Sequence, residues 1–155
     1  MTGLLLIYPS CVLHIIESSR EVLLRVLKDL KDLQQHPTRA MLKDSKVVFL
    51  VQNPLGRLFQ QWSYKVIDAG QTLQALEEEN TESLVCTVLS ALQELETTKH
   101  IPESWEFILS QELVLKLLGR DDLLSPEEHL QTFDSPLNIR VDFGQVSRSQ
   151  FINRV

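Results

Sequence analysis

The sequence predicts an α+β fold, and three observations carry that expectation. Its opening stretch, MTGLLLIYPSCVLHIIESS, holds two leucine- and isoleucine-rich runs interrupted by proline and serine. A capped, amphipathic helix pattern follows at once. Beyond residue 70, extended runs give way to apolar residues at helical spacing.

The elements follow in chain order. Leu4 to Tyr8 and Val12 to Ile16 are β-rich, and Pro9-Ser10-Cys11 between them suits a hairpin loop. Ser18-Ser19-Arg20-Glu21 reads as a capping box, in which hydroxyl and carboxylate satisfy opposite backbone donors at a helix start. Val22, Val26, Leu30 and Leu33 recur at helical spacing, Leu23 and Leu27 widen the stripe, and His36-Pro37 ends it. Lys46 to Gln52, KVVFLVQ, is strand-like and runs into the turn signal Asn53-Pro54-Leu55-Gly56. Gln61 to Ile67 alternates large and polar side chains as a further strand. The predicted order is therefore strand, strand, helix, strand, strand.

After Gly70, Leu73 and Leu76 mark a turn or short helix, and Glu77-Glu78-Glu79-Asn80 precedes Leu84, Val88, Leu92 and Leu95 at helical spacing. Acids at that place complement the positive end of a helix dipole, which accounts for them more simply than a metal does. Pro102 can open a helix carrying Trp105 and Ile108, and Leu113, Leu117 and Leu118 lead to Gly119 as a stop. Ser125-Pro126-Glu127-Glu128 combines a cap, a proline at the first helical position and two acids, with Leu130 and Phe133 as the buried side. Leu137 to Phe143 alternates as a last strand, and the tail beyond Gly144 is polar.

Composition narrows the function classes. The 155 residues are 43% hydrophobic and 23% charged, which is enough for a real core. A net charge of −6 supplies no general positive field for nucleic acid. Cys11 and Cys86 match no metal-ligand spacing and sit in apolar periodic segments, as buried free thiols do. The longest apolar run is too short to span a bilayer, and the start lacks a basic signal-peptide region, so a reducing, cytoplasmic compartment is expected.

No chemistry advertises itself. There is no G-x-S-x-G, the five glycines are too scattered for a phosphate cradle, and no two of His14, His36, His100 and His129 have helical metal-ligand spacing. His14 alone is curious, because it interrupts an apolar strand. Strand alternation places it with Val12 and Ile16 on one face, and Leu13 and Ile15 on the other. By the same rule Trp62 and Tyr64 share a face. Each reads first as packing and second as a pocket or ligand platform.

MTGLLLIYPSCVLHIIESSREVLLRVLKDL resembles the middle of a BLUF domain, the blue-light-using flavin photoreceptor module. Thr2-Gly3-Leu4-Leu5 fits the family's T-G-L-L strand, Val12 to Ser18 its second strand, and Arg20-Glu21-Val22 its helix start. Arg57-Leu58-Phe59-Gln60-Gln61-Trp62-Ser63-Tyr64 is similar to its R-x-F-x-x-W-S-M segment. TGLLLIYP with the neighbouring matches resembles, more closely, a testis-expressed subgroup of BLUF-like proteins associated with sperm flagella.

The resemblance implies a ferredoxin-like BLUF-type sheet over residues 1–70 and a helical C-terminal extension, with a short final strand and polar tail, over 71–155. It also implies departures. His14 stands where the photoreceptors carry the signalling glutamine, and an imidazole cannot reproduce an amide that donates and accepts from one rotatable group. Tyr64 replaces the methionine, while Trp62 is retained. The family's first strand and helix, with its photoactive tyrosine and flavin-binding asparagine, would lie upstream of Met1. The expected sheet then has a slot between the His14 strand and Val47 to Val51, left by a shortened chain or filled by a strand from another chain.

These expectations make the protein a non-enzymatic structural or interaction module of a ciliary or sperm-flagellar axonemal assembly. His14, Trp62 and Tyr64 mark the vestigial flavin pocket, without catalytic residues, metal or cofactor. Its partners are other proteins, with no nucleic acid and no membrane; the segment Glu77 to Glu96 and the tail after Phe143 are the expected contacts. A flavin-binding light or redox sensor is the alternative. A small hydrolase ranks lower, because no nucleophile–base pair is visible.

Overall fold

β-Rich residues flanking Pro9-Ser10 form the hairpin that the sequence predicts. Strand β1 (Thr2–Ile7) pairs antiparallel with β2 (Val12–Glu17), Thr2 opposite Glu17 and Ile7 opposite Val12. The Tyr8 N–H donates to the Cys11 carbonyl at 3.0 Å and closes the turn. Glycine is required at position 3, where φ is +154° and a Cβ would lie 2.1 Å from the Ile15 carbonyl oxygen. The chain is seen in a computed structural model that describes residues 1–36, 38, 42–52, 54–68, 80–98, 100–101 and 105–133.

A third strand, β3 (Trp62–Val66), lies parallel to β1, with Leu5 opposite Tyr64. The order is β2-β1-β3, so β1 is central. Side chains alternate across the strands: Leu4, Leu6, Leu13 and Ile15 are buried on one face.

The first helix, α1 (Arg20–Gln35), starts at Ser19, whose hydroxyl accepts from Val22 N–H; the cap falls one residue later than Ser18-x-x-Glu21 implies. Its apolar stripe is present, yet no residue of α1 is buried, and Val22 and Leu33 are exposed. Helix α2 (Thr81–Thr98) is capped by the Asn80 side chain, which accepts from Ser83 N–H at 2.8 Å. It buries Leu84, Val88, Leu92 and Leu95, the predicted stripe, together with Leu89 and Ala91. Then come α3 (Trp105–Ile108), α4 (Gln111–Leu118) between a Ser110 cap and Gly119, and α5 (Pro126–Phe133). Ser125 and Glu128 close the reciprocal capping box at α5, the carboxylate accepting from Ser125 N–H at 2.8 Å and the hydroxyl from Glu128 N–H at 3.2 Å.

The architecture is thus mixed α+β with a three-stranded sheet among the described residues. One predicted strand is corrected. Lys46 to Gln52 makes a single bridge, Val47 with Leu124, and the Lys46 ammonium donates to the Leu123 carbonyl at 3.0 Å. β-Propensity needs a neighbouring ladder to become a strand, and among the described residues it meets only one backbone partner. The acidic run Glu77-Glu78-Glu79, Pro102, the Leu137 to Phe143 strand and the tail lie outside the described residues.

Packing divides the chain into two compact units, each built from two segments. One comprises Met1–Ser18 and Pro54–Arg120, that is, the sheet with α2, α3 and α4. Its core includes Leu4, Leu6, Leu84, Val88, Trp105 and Leu113, and the buried Tyr8 hydroxyl donates to the Leu109 carbonyl. The other comprises Ser19–Asn53 and Asp121–Val155, in which α1 packs on α5 and Lys31 pairs with Glu127 at 3.1 Å.

Candidate functional site

Because successive side chains alternate, the sheet face opposite Leu4, Leu6, Leu13 and Ile15 can be written down from the register. It consists of three rows across the strands: Ile16, Gly3 and Trp62; His14, Leu5 and Tyr64; Val12, Ile7 and Val66. None of the nine carries a carboxylate, an ammonium or a guanidinium. Val12 and Trp62 are each 41% exposed, Tyr64 63% and Val66 62%, so this apolar face is largely uncovered along β3.

The three residues singled out in the sequence are brought together here. The Trp62 indole Nε1–H donates to His14 Nε2 at 3.2 Å, reaching across the strand whose nearest position is the side-chain-free Gly3. The two rings meet edge-on, with centroids 6.3 Å apart, and the Trp62 and Tyr64 rings lie 6.2 Å apart. A neutral imidazole accepting at Nε2 carries its proton on Nδ1. Loss of water around the ring pushes the His14 pKa below its ordinary value and favours that neutral form.

A second constellation escaped the sequence reading. The Glu17 carboxylate accepts from Leu58 N–H at 2.6 Å, Phe59 N–H at 3.1 Å and the Thr2 hydroxyl at 2.9 Å. Arg57 in turn donates to the Thr2 hydroxyl oxygen at 3.1 Å. Together they fasten the segment leading into β3 to the free ends of the hairpin, and so place Trp62 above Gly3. No local signal marks Glu17 for this task, since Leu58 and Phe59 lie some forty residues away in the chain. A strand ending in a carboxylate beside an R-x-F segment was the available hint.

Chemically the face offers aromatic and aliphatic surface with few free polar groups. The indole donor and the imidazole acceptor satisfy each other. Among the described residues no group of three or more His, Cys, Asp or Glu could hold a metal ion. Cys11 and Cys86 are free thiols, and loss of water raises the Cys11 pKa, away from a reactive thiolate. Among the described residues no helix is long and apolar enough to cross a membrane. His129 on α5 is buried, and loss of water lowers its pKa as well. In the comparison with known proteins, a family model described as Testis-expressed protein 47 matches residues 1–135.

Proposed function

The chain belongs to the Testis-expressed protein 47 family, and from that membership we propose that it is a non-enzymatic interaction protein of a sperm-flagellar, axonemal assembly. On this reading it is a BLUF-type, ferredoxin-like module that has given up flavin photochemistry and uses its sheet for protein contact. Membership fits a testis- or sperm-related protein. The observation that carries the reading is the uncharged face bearing His14, Trp62 and Tyr64, exposed along β3. An apolar patch left in water costs free energy that burial against a neighbour recovers, at roughly 25 cal/mol per Å².

The Trp62 to His14 hydrogen bond supports the loss of photochemistry, because it engages the indole donor and the imidazole acceptor of this face on one another. Detergent-extracted sperm tests the assignment. The chain is expected to stay with the axonemes, and Tyr64→Asp, which places a charge on the exposed face, is expected to release it. Full extraction of the unaltered chain with the soluble fraction would overturn the flagellar reading. Visible absorbance of a bound flavin in the purified protein would replace it with the sensor reading.

A further inference from the structure

We propose that the outer edge of β2 pairs with the same edge of a second copy, antiparallel and centred on His14, to give a continuous six-stranded sheet. The inference is independent of the flagellar assignment and rests on backbone valence. Among the described residues strand β2 lies at the edge of the sheet. Tyr8 N–H bonds to Cys11 C=O, and bonded pairs in an antiparallel ladder recur at every second residue, so Leu6–Leu13, Leu4–Ile15 and Thr2–Glu17 are the bonded pairs. The bonds from Gly3 N–H to Gln61 C=O and from Ile67 N–H to Ile7 C=O agree, directing the odd residues of β1 towards β3. The N–H and C=O groups of Val12, His14 and Ile16 therefore point outward, and among the described residues no strand lies beside them.

Natural edge strands are defended by charge, proline or a bulge. Val12-Leu13-His14-Ile15-Ile16 has none of these. The other edge, β3, carries Lys65 as its fourth residue of five and is defended in that sense. The occupant follows from the symmetry of the β2 segment. Turned about a twofold axis through His14, Val12 faces Ile16 of the second copy, His14 faces His14, and Ile16 faces Val12. Each pair matches in size and leaves no charge unpaired, as an isologous interface requires. Each of the three also exchanges two backbone hydrogen bonds. A single strand pairing buries less than the roughly 800 Å² per partner of a standard interface, which makes the association concentration-dependent rather than obligate.

Sedimentation velocity of the full chain across a concentration series is expected to show a monomer–dimer equilibrium. Val12→Lys, at an exposed position, is expected to raise the dimer Kd at least tenfold, and Ile16→Glu likewise, with thermal melts reporting that each variant is folded. Combining the two in one chain is expected to recover dimerisation, because the introduced ammonium at position 12 then faces the introduced carboxylate at position 16 of the second copy, twice per dimer. A monomer at every concentration would overturn the proposal. So would a dimer indifferent to Val12→Lys, a double variant no tighter than the singles, or growth past the dimer.

Discussion

Glu17 shows how much one side chain can organise. Its two oxygens take three donors from positions far apart in the chain, and hydrogen bonds to a charged acceptor are worth more than neutral ones. Glu17→Ala leaves the Leu58 and Phe59 amides and the Thr2 hydroxyl without their acceptor. A loss of about 2–3 kcal/mol is expected, to be read from the urea midpoint. His14 sets a second expectation. Its folded pKa is lowered, chiefly by desolvation, so the unfolded chain binds the proton more readily. The stability it contributes is present above the ordinary imidazole value and is lost as pH falls through the lowered one. Protonation also removes the acceptor of the Trp62 indole, so Trp62 fluorescence should change over the same acidic window and stay flat in His14→Phe. The chain's other tryptophan, Trp105, is 0% exposed, which assigns such a signal to Trp62.

At the scale of elements, helix ends obey local chemistry more faithfully than strands do. The Ser125–Glu128 box closes with both reciprocal bonds, and its carboxyl pKa is lowered first by the Ser125 N–H and then by the hydroxyl. Ser125→Ala is expected to cost about 1 kcal/mol in a thermal melt. Lys46 to Gln52 illustrates the opposite case. KVVFLVQ has every local property of a strand, yet among the described residues only Val47 N–H finds a backbone partner, Leu124 C=O at 2.8 Å. Hydrogen exchange should therefore protect Val47 while Val48 to Val51 exchange far faster than Leu4 to Leu6 in the central strand. The capping motif was legible because its partners are three residues apart. The strand was misread because its partner has to come from elsewhere.

For the whole molecule, each of the two compact units joins two segments that lie far apart in the chain. Helix α1 depends on α5, about a hundred positions later in the sequence, for its packing partner. Without residues 121–155, α1 keeps its Ser19 cap but loses that partner. A 16-residue helix alone is marginal in water. Chain 1–120 is expected to lose amide protection across α1 and to retain it in β1 and α2, whose unit keeps both of its segments. Equal loss in both units would show that the division has no energetic meaning.

Read as a sequence alone, the chain determined its hairpin, the stripe and stop of its first helix, the Gly119 stop of α4, the cap of α5, and the face shared by Val12, His14 and Ile16. Those features rest on spacings of two to four residues, where side-chain geometry and backbone hydrogen bonding are local. Only the tertiary structure decided that β3 lies parallel to β1, that Trp62 reaches His14 across Gly3, that Glu17 holds the segment before β3, and that Lys46 to Gln52 makes one bridge and no ladder among the described residues. Each of these depends on which distant backbone or side chain arrives first within hydrogen-bonding distance. Periodicity says which way a residue faces, not what it will meet there.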